Sequence, residues 1–109
     1  MTTNDLSALV AQISAKLREL AAPWAAGDPS FADPRRLALA ERADPYTGLT
    51  TQVGAWPRDS LGRRGEVTIN DDGSFFAEYD VLAWQGDRFV EAVTAWGRPG
   101  KLRGEARLL

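Results

Sequence analysis

The stretch Glu66–Leu109, EVTINDDGSFFAEYDVLAWQGDRFVEAVTAWGRPGKLRGEARLL, decides the fold. Three turn signals divide it. Asp71-Asp72-Gly73 fits a three-residue hairpin loop with Gly in the left-handed position, and Gly86-Asp87 fits a two-residue turn. Arg98-Pro99-Gly100 turns the chain a third time. Between the turns lie four runs that read as strands: Glu66–Asn70, Phe75–Trp84, Phe89–Trp96 and Lys101–Leu109. Phe89, Ala92, Val93 and Trp96 also match helical spacing, but the preceding turn and the β-branched content favour a strand. The pattern predicts an antiparallel meander.

The two early turns set the register. They place Ile69 opposite Phe75, Val67 opposite Ala77 and Gln85 opposite Arg88. One face then collects Val67, Ile69, Phe75, Ala77, Tyr79, Val81, Ala83, Val90, Ala92 and Trp96, the expected core. The other collects Phe76, Glu78, Asp80, Leu82, Trp84, Phe89, Glu91, Val93 and Ala95. A three-residue loop at 98–100 keeps Leu102, Gly104, Ala106 and Leu108 in the core and puts Arg103 and Arg107 on the second face. A loop one residue shorter or longer swaps these faces. The second face is unusual because an antiparallel sheet with one buried face normally turns polar residues outward. Phe76, Leu82, Trp84, Phe89 and Val93 require a cover.

Working towards the N-terminus, Leu49–Trp56 alternates as a strand, and Ser60–Gly65 is a loop. Asp33-Pro34 reads as a helix cap followed by Pro in the first turn, predicting a short helix over 34–42. Leu6, Leu9, Val10, Ile13, Leu17 and Leu20 form one helical stripe, capped by Asn4 or Asp5 and ended near Ala22 by Pro23. The fold expected is a single α+β domain over 1–109. Its N-terminal helix and short second helix pack on a four- or five-stranded antiparallel meander. This element order resembles helix-on-curved-sheet folds such as the cystatin-like and nuclear-transport-factor-like groups, which host unrelated functions.

Composition excludes more than it assigns. The 109 residues carry a net charge of −2, with 44% hydrophobic and 26% charged residues, as in ordinary globular domains. With neither Cys nor His, the chain cannot build disulfides, thiolate metal sites, Cys nucleophiles or His-based triads. Net acidity argues against nucleic acid, and no apolar run reaches the ~20 residues of a membrane span. The N-terminus lacks the basic and apolar regions of a signal peptide. These features predict a cytoplasmic protein without membrane contact. Only Lys16 and Lys101 of the 13 basic residues are lysines, a bias that suggests a GC-rich, bacterial genome.

Two constellations remain. Glu78, Asp80 and Glu91 are brought together by the register and could share a proton, bind a cation or simply pair with Arg. Phe76, Leu82, Trp84 and Phe89 form the apolar part of the second face. Its cover could be a layer made by helix 34–42 and loop 45–65, a second protein surface, or a small-molecule pocket. The expectation is a small non-enzymatic protein-interaction module (adaptor, regulator or inhibitor), homodimeric through the second sheet face, with no catalytic residues, metal or cofactor. The alternative is a small-molecule pocket between helix and curved sheet, with acid–base chemistry by Asp80 or Glu78.

Overall fold

The computed structural model describes residues 2–25 and 27–109. Helix α1 spans Thr3–Ala25, and six strands follow: β1 Ala38–Ala43, β2 Thr50–Trp56, β3 Gly65–Ile69, β4 Phe75–Gln85, β5 Arg88–Arg98 and β6 Lys101–Leu108. They form one antiparallel sheet in chain order, β1-β2-β3-β4-β5-β6. The α+β class and the antiparallel sheet agree with the sequence reading. The strand count is six rather than four or five.

The start of α1 is a capping box. Thr2 Oγ1 accepts from the Asp5 amide (3.2 Å), and the Asp5 carboxylate accepts from the Thr2 amide (3.1 Å). The cap is therefore Thr2, and Asp5 acts three residues inside it. These bonds, the backbone one foremost, hold the Asp5 carboxyl below its ordinary range. Leu9, Ile13, Leu17 and Ala21 form the buried stripe against the sheet. The helix runs past Pro23 to Ala25 rather than ending at Ala22. A proline so close to the C-terminus removes one helical bond, and burial of Ala21 and Ala25 on either side offsets it.

The expected helix 34–42 is the main correction. Only Pro34–Arg36 is helical, a 3-10 turn that Asp33 caps by accepting from the Arg35 amide (2.9 Å). Residues 38–43 extend instead and pair with β2, from Ala38 opposite Ala55 to Ala43 opposite Thr50. Six residues is too short for a helix to be stable alone, whereas the open edge of β2 offers a backbone partner for every second residue. Leu37 and Leu39 fold over Gly54 on the helix side.

Both early hairpins keep the expected register, with Ile69 opposite Phe75, Val67 opposite Ala77 and Gln85 opposite Arg88. Gly73 takes φ +86° in the first loop, a conformation its lack of Cβ permits. Beyond these points the expected faces fail. In β4 the register shifts between Asp80 and Ala83, and in β5–β6 it shifts between Val90 and Ala92. The same step takes three residues in β4, two in β5 and one in β6, so the sheet bends at this row. The β4 bulge moves Val93 and Ala95 to the core, opposite Tyr79 and Ala77. It turns Trp96 outward, opposite Phe76. The last loop has two residues, since Arg98 pairs with Lys101. That is one fewer than expected, but the bulge had already changed the parity of β5. The two changes cancel, so Arg103 and Arg107 reach the outer face as anticipated, for a different reason.

The core lies between α1 and the sheet. Phe31, Tyr79 and Trp56 stack at its centre, with Phe31–Tyr79 ring centroids 4.1 Å apart and Trp56–Tyr79 5.8 Å apart. Trp56 Nε1 donates to the Asp33 carbonyl (2.8 Å), which ties the 3-10 turn to the sheet. The Tyr79 hydroxyl is buried with no hydrogen-bond partner. Burial pushes its pKa up, and the nearby Ala32 backbone pulls the other way without completing a bond of good geometry.

Candidate functional site: the uncovered sheet face

Helix α1 covers one side of β4–β6. Among the described residues, no element covers the other side. The expected second layer does not exist, because residues 38–43 and 50–56 are strands of the same sheet.

This outer face is ordered in bands along the strands. At one end Phe76 lies opposite Trp96, which lies opposite Arg103. At the other end Trp84 lies opposite Phe89, their rings 5.4 Å apart and edge to face, and the Leu109 amide donates to the Phe89 carbonyl (2.7 Å). Phe76 is 51% exposed and Trp84 71%. Phe89 and Trp96 are half-buried beside them.

Between the aromatic ends runs a charged band. Arg107 donates to Glu78 and lies 4.0 Å from Glu91; Arg64 lies 4.0 Å from Asp80. The three carboxylates of the sequence reading are thus brought together, each with an arginine rather than with one another. Half-exposed pairs of this kind contribute little stability. Glu78 and Asp80 face away from the core between helix and sheet, and of the two only Asp80 borders a cavity that the helix also reaches, at Trp24. The core itself is filled by Leu9, Ile13, Leu17, Val67, Ile69 and Tyr79. Leu82, the remaining sequence candidate, sits in the β4 bulge and is 63% exposed at the sheet's edge.

Two features escaped the sequence reading. Trp96 belongs to the outer face, and only the bulge reveals it. The segment 57–64, of which the sequence reading took Ser60–Gly65 as a plain loop, joins a buried ion network. Arg63 Nη2 donates to Asp28 (2.8 Å) and Nε to Asp59 (3.0 Å), with all three side chains buried. Asp59 also accepts from the Leu61 and Arg63 amides, and Arg63 lies over the Phe31 ring at 5.0 Å. Burial alone would raise the Asp28 carboxyl. Bonds from Ser30, Ser60 and Arg63 overcome it and hold the group well below the usual range. Asp28 and Arg63 are 35 residues apart in sequence, and no periodic signal could have announced their pairing.

Comparison with known families, curated proteins and solved structures returned no match. No described helix is long and apolar enough to cross a membrane.

Proposed function

We propose that this chain is a small non-enzymatic protein-interaction module that pairs with a second copy of itself through the outer sheet face, and that it works as an adaptor, regulator or inhibitor. The observation that carries the reading is the exposure of Phe76 and Trp84, with Trp96 and Phe89 beside them, on a face that nothing in the described chain covers. Exposed clusters of large apolar side chains mark association sites.

The order of bands favours a second copy over an unrelated partner. Along β4 and β5 the face reads aromatic, charged, aromatic. A twofold axis across the charged band, perpendicular to the strands, lays the Phe76–Trp96 end of one copy on the Trp84–Phe89 end of the other. An isologous interface requires this kind of self-complementarity. Six strands about 4.8 Å apart, the longest about 36 Å in length, offer the roughly 800 Å² per partner of a standard interface. The chain carries neither His nor Cys, and each grouped carboxylate is held near an arginine, so a non-catalytic role suits the residues present.

Native mass spectrometry of the wild type, Trp84→Asp and Phe76→Asp tests this. The expected result is a wild-type dimer and monomeric, folded variants, since both side chains lie outside the core. Dimeric variants, or a monomeric wild type, would remove the proposal.

A further inference from the structure

A second site lies where β3 begins. Gly65, its first residue, pairs with Tyr79, and beyond Asp80 the β3 side of β4 has no strand beside it among the described residues. The gap holds a cavity of about 430 Å³, bordered by Trp24, Arg58, Leu61, Arg64, Asp80 and Leu82. That volume falls among small-molecule sites, which span roughly 300–1,000 Å³.

Three independent features make it more than a surface dent. First, Leu82 on its rim holds φ at +54°, a left-handed conformation rare for a bulky side chain, and such strain concentrates at binding sites. Second, Leu61 and Leu82 are 69% and 63% exposed, so with Trp24 they give the cavity an apolar wall that lacks a partner within the described chain. Third, two guanidinium groups border it. Arg58 is fixed by one bond to the Gly62 carbonyl (2.9 Å), and among the described residues Arg64 is held only by Asp80 at 4.0 Å. Arg63 also borders the cavity, but its charge is taken up by Asp28 and Asp59.

We infer that this cavity binds a small amphipathic carboxylate. Three arginines here face three aspartates, but Asp28 and Asp59 are buried and bonded, so the groups that reach solvent at the cavity are the guanidiniums of Arg58 and Arg64 and the single carboxylate of Asp80, a set that suits a monoanion rather than a phosphate. The carboxylate would sit between Arg58 and Arg64, displacing the weak Arg64–Asp80 pair, and its hydrocarbon body would lie along Trp24, Leu61 and Leu82. Guanidinium–carboxylate bonds have the strength and geometry to orient such a ligand. Asp80 opposes the incoming charge and so sets the affinity. The site is separate from the aromatic ends of the outer face, but Arg64 and Asp80 belong to its charged band, which the proposed dimer would cover, so the titration is made on Trp84→Asp as well as on the wild type.

The test is titration of the ¹⁵N-labelled full-length protein with decanoate, and with decan-1-ol as the neutral control, followed by NMR. The expected result is a set of shifts confined to the Trp24 indole and the Leu61, Gly62 and Leu82 amides. Decan-1-ol should bind about tenfold more weakly, and Arg64→Ala should weaken decanoate by about tenfold or more, the worth of a hydrogen bond to a charged group. Asp80→Asn should tighten it. Unchanged signals from the core strands verify that each variant is folded. Equal binding of acid and alcohol, no loss in Arg64→Ala, no gain in Asp80→Asn, or shifts centred on Trp84 and Phe89 would each overturn the inference.

Discussion

Leu82 holds a left-handed backbone while most of its side chain is in solvent. The conformation costs an L-residue about 1–2 kcal/mol, and the exposed side chain recovers little of it. Glycine accepts this backbone freely, though it has more unfolded-state entropy to lose. Leu82→Gly should therefore stabilise the fold by about 0.5–1 kcal/mol, read as a higher urea midpoint at unchanged slope. The same variant should bind decanoate more weakly, because it removes part of the cavity wall. At Gly104 the reverse holds. A Cβ there would collide with Leu20 Cδ1 and lie 2.6 Å from the Thr94 carbonyl. Gly104→Val should cost about 1–3 kcal/mol by separating α1 from β6, and thermal unfolding would detect it. These positions also show what the sequence conceals. Gly104 fits the alternation of its strand and reads as an ordinary inward residue. Nothing in Val81-Leu82-Ala83 announces a bulge, yet that one extra residue moves Trp96, Val93 and Ala95 to opposite faces.

Among the elements, strands bounded by glycine turns were legible: 66–70, 75–84 and 89–96 lie within β3, β4 and β5 to within a residue or two at each end. Short polar or Ala-rich segments were not. Residues 38–43 satisfy a helical and an extended pattern alike, and only the neighbouring β2 edge decides between them. The loop 57–64 owes its shape to charge rather than to any hydrophobic pattern. Arg63 joins it to Asp28, and the Ser60 amide donates to Ser30 Oγ (2.9 Å). Removing the cation leaves two buried carboxylates without their partner, so Arg63→Met should destabilise by about 3–5 kcal/mol. Chemical denaturation measures this directly. A loss below 1 kcal/mol would mean that the loop is held by Trp56 and Phe31 instead.

For the whole molecule, pH dependence follows from the carboxylates. Asp33 is held at about 2 by bonds from the Arg35 side chain and amide, and Asp28 lies well below its ordinary range. A carboxyl with a depressed folded-state pKa adds stability above its unfolded value, near 4. It loses that stability as pH falls towards the folded value. With no histidine to titrate, stability should stay nearly flat from pH 5 to 8 and fall between about pH 4 and 2. Circular dichroism melts across that range would show it. The molecule is also elongated, 46 Å by 25 Å by 25 Å. A helix over one sheet face builds a core there, and among the described residues no element covers the opposite face. The central claim is that a second copy occupies that face. Sedimentation equilibrium of the wild-type protein at micromolar concentration tests it most directly. The account predicts twice the 11.9 kDa chain mass, returning to 11.9 kDa in Trp84→Asp. A wild-type mass of 11.9 kDa at every concentration would contradict it.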